Sequence, residues 1–252
     1  MEHNKKLNNI LLTGGSGKLG KAIIASGYFS SILSPSSATL DITKPKRIEK
    51  YLNENTIDAI IHCAALARMS ECEKDPAKAL HVNSIGTAYL VAEILKREIH
   101  KNNKIRFIYI STDGVYPGIR GNYSENDETI PYNKYGWTKL GGECAVNLLS
   151  NYCIIRTSFF DPSHIMFDNS AIDSYSSKVP IDYLVKAIAI MLKEKYVGVI
   201  NIGSKRTSDY KRYKKYKPQI KPCKLIDIKK NVDFKMATDA SLNSNKWERI
   251  KK

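Results

Sequence analysis

Short apolar runs bounded by turn residues alternate along the chain with stretches whose apolar residues recur at helical spacing. That alternation is the pattern of βαβ units on a parallel sheet. Strands are expected at Asn9 to Leu12, Phe29 to Leu33, Asp58 to His62, Ile105 to Ile110, Cys153 to Arg156 and Val197 to Ile202. The clearest helix starts at Pro76, suited to a first turn, and runs through Val82, Ile85, Tyr89, Leu90 and Ile94 to His100. Further helices are expected over Gly17 to Ser26, Arg47 to Asn53, Asn133 to Leu149 and Ile181 to Lys193. After about Arg156 the alternation weakens, and a small cap of mixed structure is expected there. Internal repeats and long linkers are not seen.

Composition narrows this picture modestly. A chain of 252 residues with 42% hydrophobic residues can build the core of one α/β domain plus an extension, but hardly two independent domains. The polar start Met1 to Lys6 leads directly into the first apolar run, and no segment approaches about 20 uninterrupted apolar residues. A soluble, cytoplasmic protein without membrane contact is expected. The five cysteines (Cys63, Cys72, Cys144, Cys153, Cys223) lack CxxC spacing and sit mostly in apolar runs, so they read as reduced, small core residues, with no metal site. A formal charge of +15 attracts polyanions without choosing among them. Lys205, Arg206 and the run Lys211 to Lys217 can form one basic face on a short helix; a solvated surface is the plainer reading. Nucleic acid is not expected as a partner, because no recognition motif accompanies the charge.

Two motifs carry the chemistry. Thr13-Gly14-Gly15-Ser16-Gly17-Lys18-Leu19-Gly20 follows the first strand and opens a helix, a TGxxGxxG loop. Gly14 permits the tight turn, Gly17 lets the backbone approach a pyrophosphate, and Gly20 allows close helix–strand packing, while the helix N-terminus faces the phosphates. Residues 1–158 therefore read as a Rossmann-type, doubly wound dinucleotide-binding domain, with 159–252 as a reduced substrate-binding region interleaved with the same fold. At the end of the second strand stand Ser34, Pro35, Ser36 and Ser37, with no carboxylate to hold a ribose 2′-hydroxyl. NADPH is thus favoured and NADH is the alternative. Asp41 lies too far along for the ribose role; it reads either as a contact to the adenine edge or as the N-cap of the next helix. The second motif is Tyr135-Gly136-Trp137-Thr138-Lys139. On a helix, Tyr135 and Lys139 share a face, and a cation near a phenol favours its ionised form, so Lys139 is expected to lower the pKa of Tyr135. Thr112, at the C-terminal end of a strand, stands where such sheets place ligand sites.

These residues resemble the extended short-chain dehydrogenase/reductase superfamily, and within it the dTDP-4-dehydrorhamnose reductase family of nucleotide-sugar 4-ketoreductases. The matching segments are the glycine loop, Leu40 to Thr43, Asp58 to Ala65, His81 to Thr87, Ile110 to Tyr116, Tyr135 to Leu140 and Ile155 to Ser158, with a late Thr238 to Leu242. The resemblance implies that Tyr135 donates a proton, Lys139 supports it and binds a ribose, and Thr112 orients the carbonyl. It further implies that Ile42, Ala64, Ala65, Leu66 and Ala67 line the cofactor, with Asn83 supporting the site, and that the substrate is a nucleotide-diphosphate sugar. Thr112, Asp113 and Arg156 are candidate substrate contacts, and Arg156 with the 205–217 cluster are candidates for the diphosphate. Two departures stand out. The stretch after Ser158 reaches Met166 to Asn169 almost at once, implying a trimmed or rebuilt substrate pocket, and position 114 is glycine where a bulky residue is common, implying open space beside the reacting centre. A nucleotide-sugar epimerase and a non-catalytic NADP-binding regulatory subunit are the alternatives on the same fold. A homodimer is left open.

Overall fold

The computed structural model describes residues 8–101 and 104–252. The polar lead-in Met1 to Lys6 lies outside them. A six-stranded, all-parallel sheet runs in the order β10-β5-β4-β3-β1-β2. Its strands are β1 (Ile10–Thr13), β2 (Ile32–Leu33), β3 (Ala59–His62), β4 (Arg106–Ile110), β5 (Tyr152–Thr157) and β10 (Gly198–Ile202). Each falls within or beside an expected strand. Between β5 and β10 come the short strands β6 (Phe159–Phe160), β7 (Asn169–Ala171), β8 (Tyr175–Ser176) and β9 (Val179–Pro180); β11 (Thr207–Ser208) and β12 (Lys221–Cys223) follow.

The helices are α1 (Lys18–Ala25), α2 (Pro45–Glu54), α3 (Met69–Lys74), α4 (Pro76–Leu80), α5 (Thr87–Lys101), α6 (Lys134–Val146), α7 (Ile181–Lys193), α8 (Asp209–Lys214), α9 (Leu225–Lys229) and α10 (Asn245–Ile250). They cover both faces of the sheet, which is why its strands read as continuous apolar runs. The pleat sends Ile10 and Leu12 into one core with Ile23 of α1 and Ile188 of α7, and Leu11 into the other with Ile48 of α2 and Ile94 of α5.

The helix expected from Pro76 to His100 is interrupted by a π-helical turn, His81–Gly86, between α4 and α5. The turn carries Asn83 and Ser84, whose side chains bond outside the helix. Asn83 accepts from the Leu66 N–H (2.7 Å) and donates to the Leu66 carbonyl and Thr138 Oγ1, while Ser84 donates to the Thr138 carbonyl. It therefore ties the loop after β3 to α6.

The C-terminal part is held differently. β6 pairs with β9, β7 with β12, and β8 with β11, each as a two-stranded ribbon. The Thr238 to Leu242 segment binds this part to the loop after β4. Tyr123 bridges to Leu242 and Tyr175 to Asp239, and the Asn122 N–H donates to Ser241. Of the cysteines, Cys72 and Cys153 are buried, whereas Cys144 is exposed on α6, contrary to its expected core role. No helix among the described residues is long and apolar enough to cross a membrane.

Candidate active site

The glycine loop joins β1 to α1 beside a groove with a cavity of about 670 Å³. Gly14 has φ +75°, and a Cβ there would stand 2.6 Å from the Ala64 nitrogen at the end of β3. Only glycine fits that close approach without strain. A Cβ on Gly20 would run into the Gly14 carbonyl, so the helix packs directly on its own loop. Gly14, Ser16, Gly17, Ser34, Asp41, Ile42, Ala64 and Ala65 all line the groove, as expected of cofactor contacts. The remaining assignments are redistributed. The Leu19 side chain packs into the core and Gly20 under the loop, so neither presents a side chain to the groove; Lys18 and Ala67 are exposed outside the cavity lining. Asn83 is fully buried with its amide spent on Leu66 and Thr138, which makes it a support of the loop and not a contact. Asp41 lies in the groove and does not cap α2, whose N-cap is Lys44. Burial pushes its pKa up, but hydrogen bonds from the Thr43 N–H and hydroxyl outweigh this and hold it below the ordinary value.

The expected catalytic residues gather near the C-terminal end of β4. Thr112 accepts from the Gly114 N–H at 3.0 Å and donates to Asp113 Oδ1 at 3.2 Å. Asn133 caps α6 by accepting from the Gly136 N–H, and this sets the helix against the Thr112–Gly114 turn. Tyr135, in the first turn of α6, thereby comes within hydrogen-bonding reach of Thr112. One turn on, Lys139 is buried with its Nζ 4.0 Å from the centre of the Tyr109 ring. The structure thus brings Thr112, Tyr135, Lys139 and Asp113 together.

The electrostatics depart from expectation. Burial raises the Tyr135 pKa above its ordinary value, and Asp113 and Cys72 add to the rise, against which the Thr112 hydrogen bond works. Lys139 does not produce the expected lowering: desolvation is the largest influence on the phenol, and Lys139 is not among the groups that act on it. The Tyr135 phenol is held protonated, as a proton donor requires. Lys139 itself is pushed down to about 7 by burial, opposed by Glu143 and Cys63. Asp113 is raised to about 6 by burial, opposed by Lys178 and Thr112.

Arg156 is corrected outright. Its guanidinium is buried, forms three hydrogen bonds to the Glu143 carboxylate (2.7 to 3.2 Å) and donates to the Tyr116 hydroxyl at 2.9 Å. Ser111 also bonds Glu143. Removing Arg156 from this pair would strand a buried carboxylate, so it is a structural ion and not a substrate contact. Gly114 is corrected too. A Cβ there would stand 3.3 Å from Thr112 Oγ1 and 3.8 Å from the Tyr132 hydroxyl, so the expected open space is occupied.

Three groups escaped the sequence reading. Tyr132 lies beside Asp113 and Tyr135, and burial with the Asp113 charge raises its pKa. Lys178 pairs with Asp209 at 3.0 Å, and both act on Asp113. Tyr132 could have been suspected from its place three residues before Tyr135. Lys178 and Asp209 sit in a region without periodic signal and carry no local mark.

The model of the RmlD substrate binding domain family matches residues 8–164. The chain belongs to that family. It is 34% identical over 161 residues to a dTDP-4-keto-6-deoxy-D-glucose reductase of Streptomyces niveus, covering 62% of this chain and 54% of that one. It is 38% identical over 122 residues to a probable low-salt glycan biosynthesis reductase of Haloferax volcanii, covering 48% and 39%. The matches span about half the length of these curated relatives. The fold extends further. A dTDP-4-dehydrorhamnose reductase of Bacillus anthracis, solved with NADP, superposes with a TM-score of 0.85 at 22% identity, covering 96% of this chain and 92% of that one. A hypothetical dTDP-4-dehydrorhamnose reductase of Sulfolobus tokodaii superposes with a TM-score of 0.83 at 26% identity, covering 96% and 94%. The expected family and the Rossmann-type α/β fold are thus both borne out.

Proposed function

We propose that this protein is an NADPH-dependent reductase of the 4-keto group of a nucleotide-linked 4-keto-6-deoxyhexose, acting in the cytoplasm. The observation that carries this reading is the glycine-loop groove at the end of β1 and β3 beside Thr112 and a protonated Tyr135 at the C-terminal end of the neighbouring strand β4, with Cys63 of the groove lining acting on Lys139 one turn beyond Tyr135. The groove fits a dinucleotide: Gly14 gives backbone access, and Ser34 and Ser36 line the end of β2 where a carboxylate would exclude a 2′-phosphate. Arg47 donates to the Ala38 carbonyl at 2.9 Å, which places a guanidinium beside that loop and favours NADPH over NADH. NADPH, when bound, supplies the hydride.

The chain's own groups do the rest. Thr112 orients the carbonyl oxygen by hydrogen bonding. Tyr135, kept neutral by burial, passes its phenolic proton to the oxygen as negative charge develops there. Lys139 would hold a ribose hydroxyl of the bound cofactor and, when charged, would stabilise the phenolate that remains. Asn83 fixes the loop bearing Ala64 and Ala65, so the cofactor wall keeps its place. Residues 1–158 carry the cofactor and the proton donor, and 159–252 encloses the sugar nucleotide, with β10 returning to the main sheet.

The test is stoichiometric NADPH oxidation with dTDP-, UDP- or GDP-linked 4-keto-6-deoxyhexoses, each beside its free sugar. One NADPH consumed per linked sugar, with far slower reaction of the free sugar, is expected. Interconversion of sugars without net cofactor use would establish an epimerase instead. Cofactor binding with no turnover of any linked sugar would replace the enzyme by a regulatory subunit.

A further inference from the structure

Lys139 is a buried cation without an anion of its own. Its side chain is almost wholly enclosed, yet among the described residues the ammonium forms no ion pair. Glu143, four residues on along α6, spends its carboxylate on Arg156 and Ser111. The Cys63 thiol, in the lining of the cofactor groove, is pushed up to about 12 by burial and stays neutral. What the ammonium has instead is an aromatic face: its Nζ stands 4.0 Å from the centre of the Tyr109 ring. A cation within about 6 Å of a ring face is drawn to the ring's negative quadrupole, most strongly where water is excluded. A buried charge needs such compensation.

The ring is fixed from several sides. Tyr109 is fully buried on β4, and its hydroxyl donates to the Lys139 carbonyl at 3.3 Å. A Cβ on Gly142 would run into that hydroxyl, so α6 packs on the phenol through a glycine. His62, the cross-strand partner of Tyr109 on β3, lies beside the ring with centres 5.6 Å apart. Its imidazole is clamped between Thr13 Oγ1 at 2.6 Å and Thr87 Oγ1 at 3.0 Å. Because the Thr87 hydroxyl donates to the Asn83 carbonyl, it accepts from His62 Nε2–H, which leaves Nδ1 to accept from Thr13. Burial and the Lys139 charge push the His62 pKa down to about 3, so no second cation competes for the ring. Burial, with the Glu143 and Tyr135 charges, raises the Tyr109 pKa and keeps the phenol neutral. Lys139 is thus faced by Glu143 on its own helix, by His62 and Tyr109 on the sheet, and by Cys63 after β3.

We propose that Tyr109 is a positioning residue for Lys139, its ring seating the ammonium by a cation–π contact at the border of the cofactor groove. The inference rests on the reductase reading for what Lys139 does there, and adds how the lysine is kept in place and charged. The seat favours the ammonium over the free amine, against the burial that disfavours it. Weakening the negative face of the ring should therefore lower the pH at which Lys139 loses its proton.

NMR of the protein labelled at lysine tests this without turnover. The Lys139 signal, identified by its loss in Lys139→Met, should titrate with a midpoint of about 7, and its Hε protons should be displaced upfield by the ring. Tyr109→Phe keeps the aromatic face and should keep both features. Tyr109→Phe carrying one, two or three ring fluorines keeps the shape while draining the face, and the midpoint should fall stepwise by about one pH unit in total. At pH 7 the charged fraction then drops from about a half to about a tenth, so NADPH affinity should fall about fivefold. A midpoint that stays constant across the fluorinated series would overturn the seat, as would Hε protons still displaced in Tyr109→Leu. Should the substituted proteins fail to fold, the unsubstituted protein decides: displaced Hε protons support the seat and undisplaced ones overturn it. If the seat is seen but no linked sugar is reduced, the seat stands and the reductase reading falls.

Discussion

The two parts of this molecule are held together by different means, and they were legible to different degrees. The first 158 residues place a hydrophobic strand between two layers of helix, so nearly every β residue is buried and the periodicity announces itself. Ile10, Leu11 and Leu12 pass alternately into two cores. The last 94 contribute α7 and β10 to that frame and then turn to short ribbons fastened by charge. Lys178 meets Asp209, Arg206 meets Asp239, and Arg212 clamps carbonyls of Ser176 and Lys178. Packing of the first kind leaves a trace in local sequence; polar fastening across 30 or more residues does not. The family model likewise ends at residue 164.

The sharpest way to break this contrast lies in the glycine loop. A Cβ at Gly17 meets only the Gly14 carbonyl, at 3.3 Å, so Gly17→Val should fold, yet its side chain would stand where the pyrophosphate approaches. Calorimetry should show NADPH affinity lost by at least about a hundredfold, on the order of 3 kcal/mol. Unchanged affinity in a folded variant would remove the dinucleotide assignment.

The ion pairs sharpen the comparison next. Glu143→Gln leaves the buried Arg156 charge uncompensated in the sheet's core, and denaturant melts should show a loss of about 3–5 kcal/mol. Arg206 is half exposed at the rim of the C-terminal part. Arg206→Ala should cost about 1 kcal/mol or less. Similar losses in the two variants would erase the distinction between a structural ion in the core and a fastening at the rim.

A smaller effect concerns Lys139. Its pKa of about 7 lies below the ordinary 10.5 because burial disfavours the ammonium, so the charged fraction falls as pH rises through 7. If the ammonium holds the ribose, NADPH affinity should decline above pH 7, at most about tenfold per unit. The decline should be absent in Lys139→Met. A titration in which both proteins show the same pH slope would assign that slope to another group.

Particular residues show where sequence reasoning stopped. The placement of the glycine loop after β1, of Thr112 past the end of β4 and of Tyr135 and Lys139 on α6 was readable because backbone geometry and helical spacing fix it locally. Arg156 misled because type and strand position suggest a phosphate ligand, whereas its partner Glu143 lies on α6 and becomes its neighbour only when α6 packs on β5. Tyr135 misled in the same way: helical spacing gives the lysine's direction, but desolvation, which sets the pKa, depends on the whole surrounding fold. Lys178 and Asp209 could not be found, because nothing within 30 residues of either announces the pair.

The most direct test of the account is the turnover of Tyr135→Phe with a nucleotide-linked 4-keto-6-deoxyhexose at saturating NADPH. This variant keeps the ring in place and deletes only the transferable proton. The account predicts a kcat lower by about two to four orders of magnitude with NADPH affinity nearly unchanged. Wild-type turnover in Tyr135→Phe would contradict it.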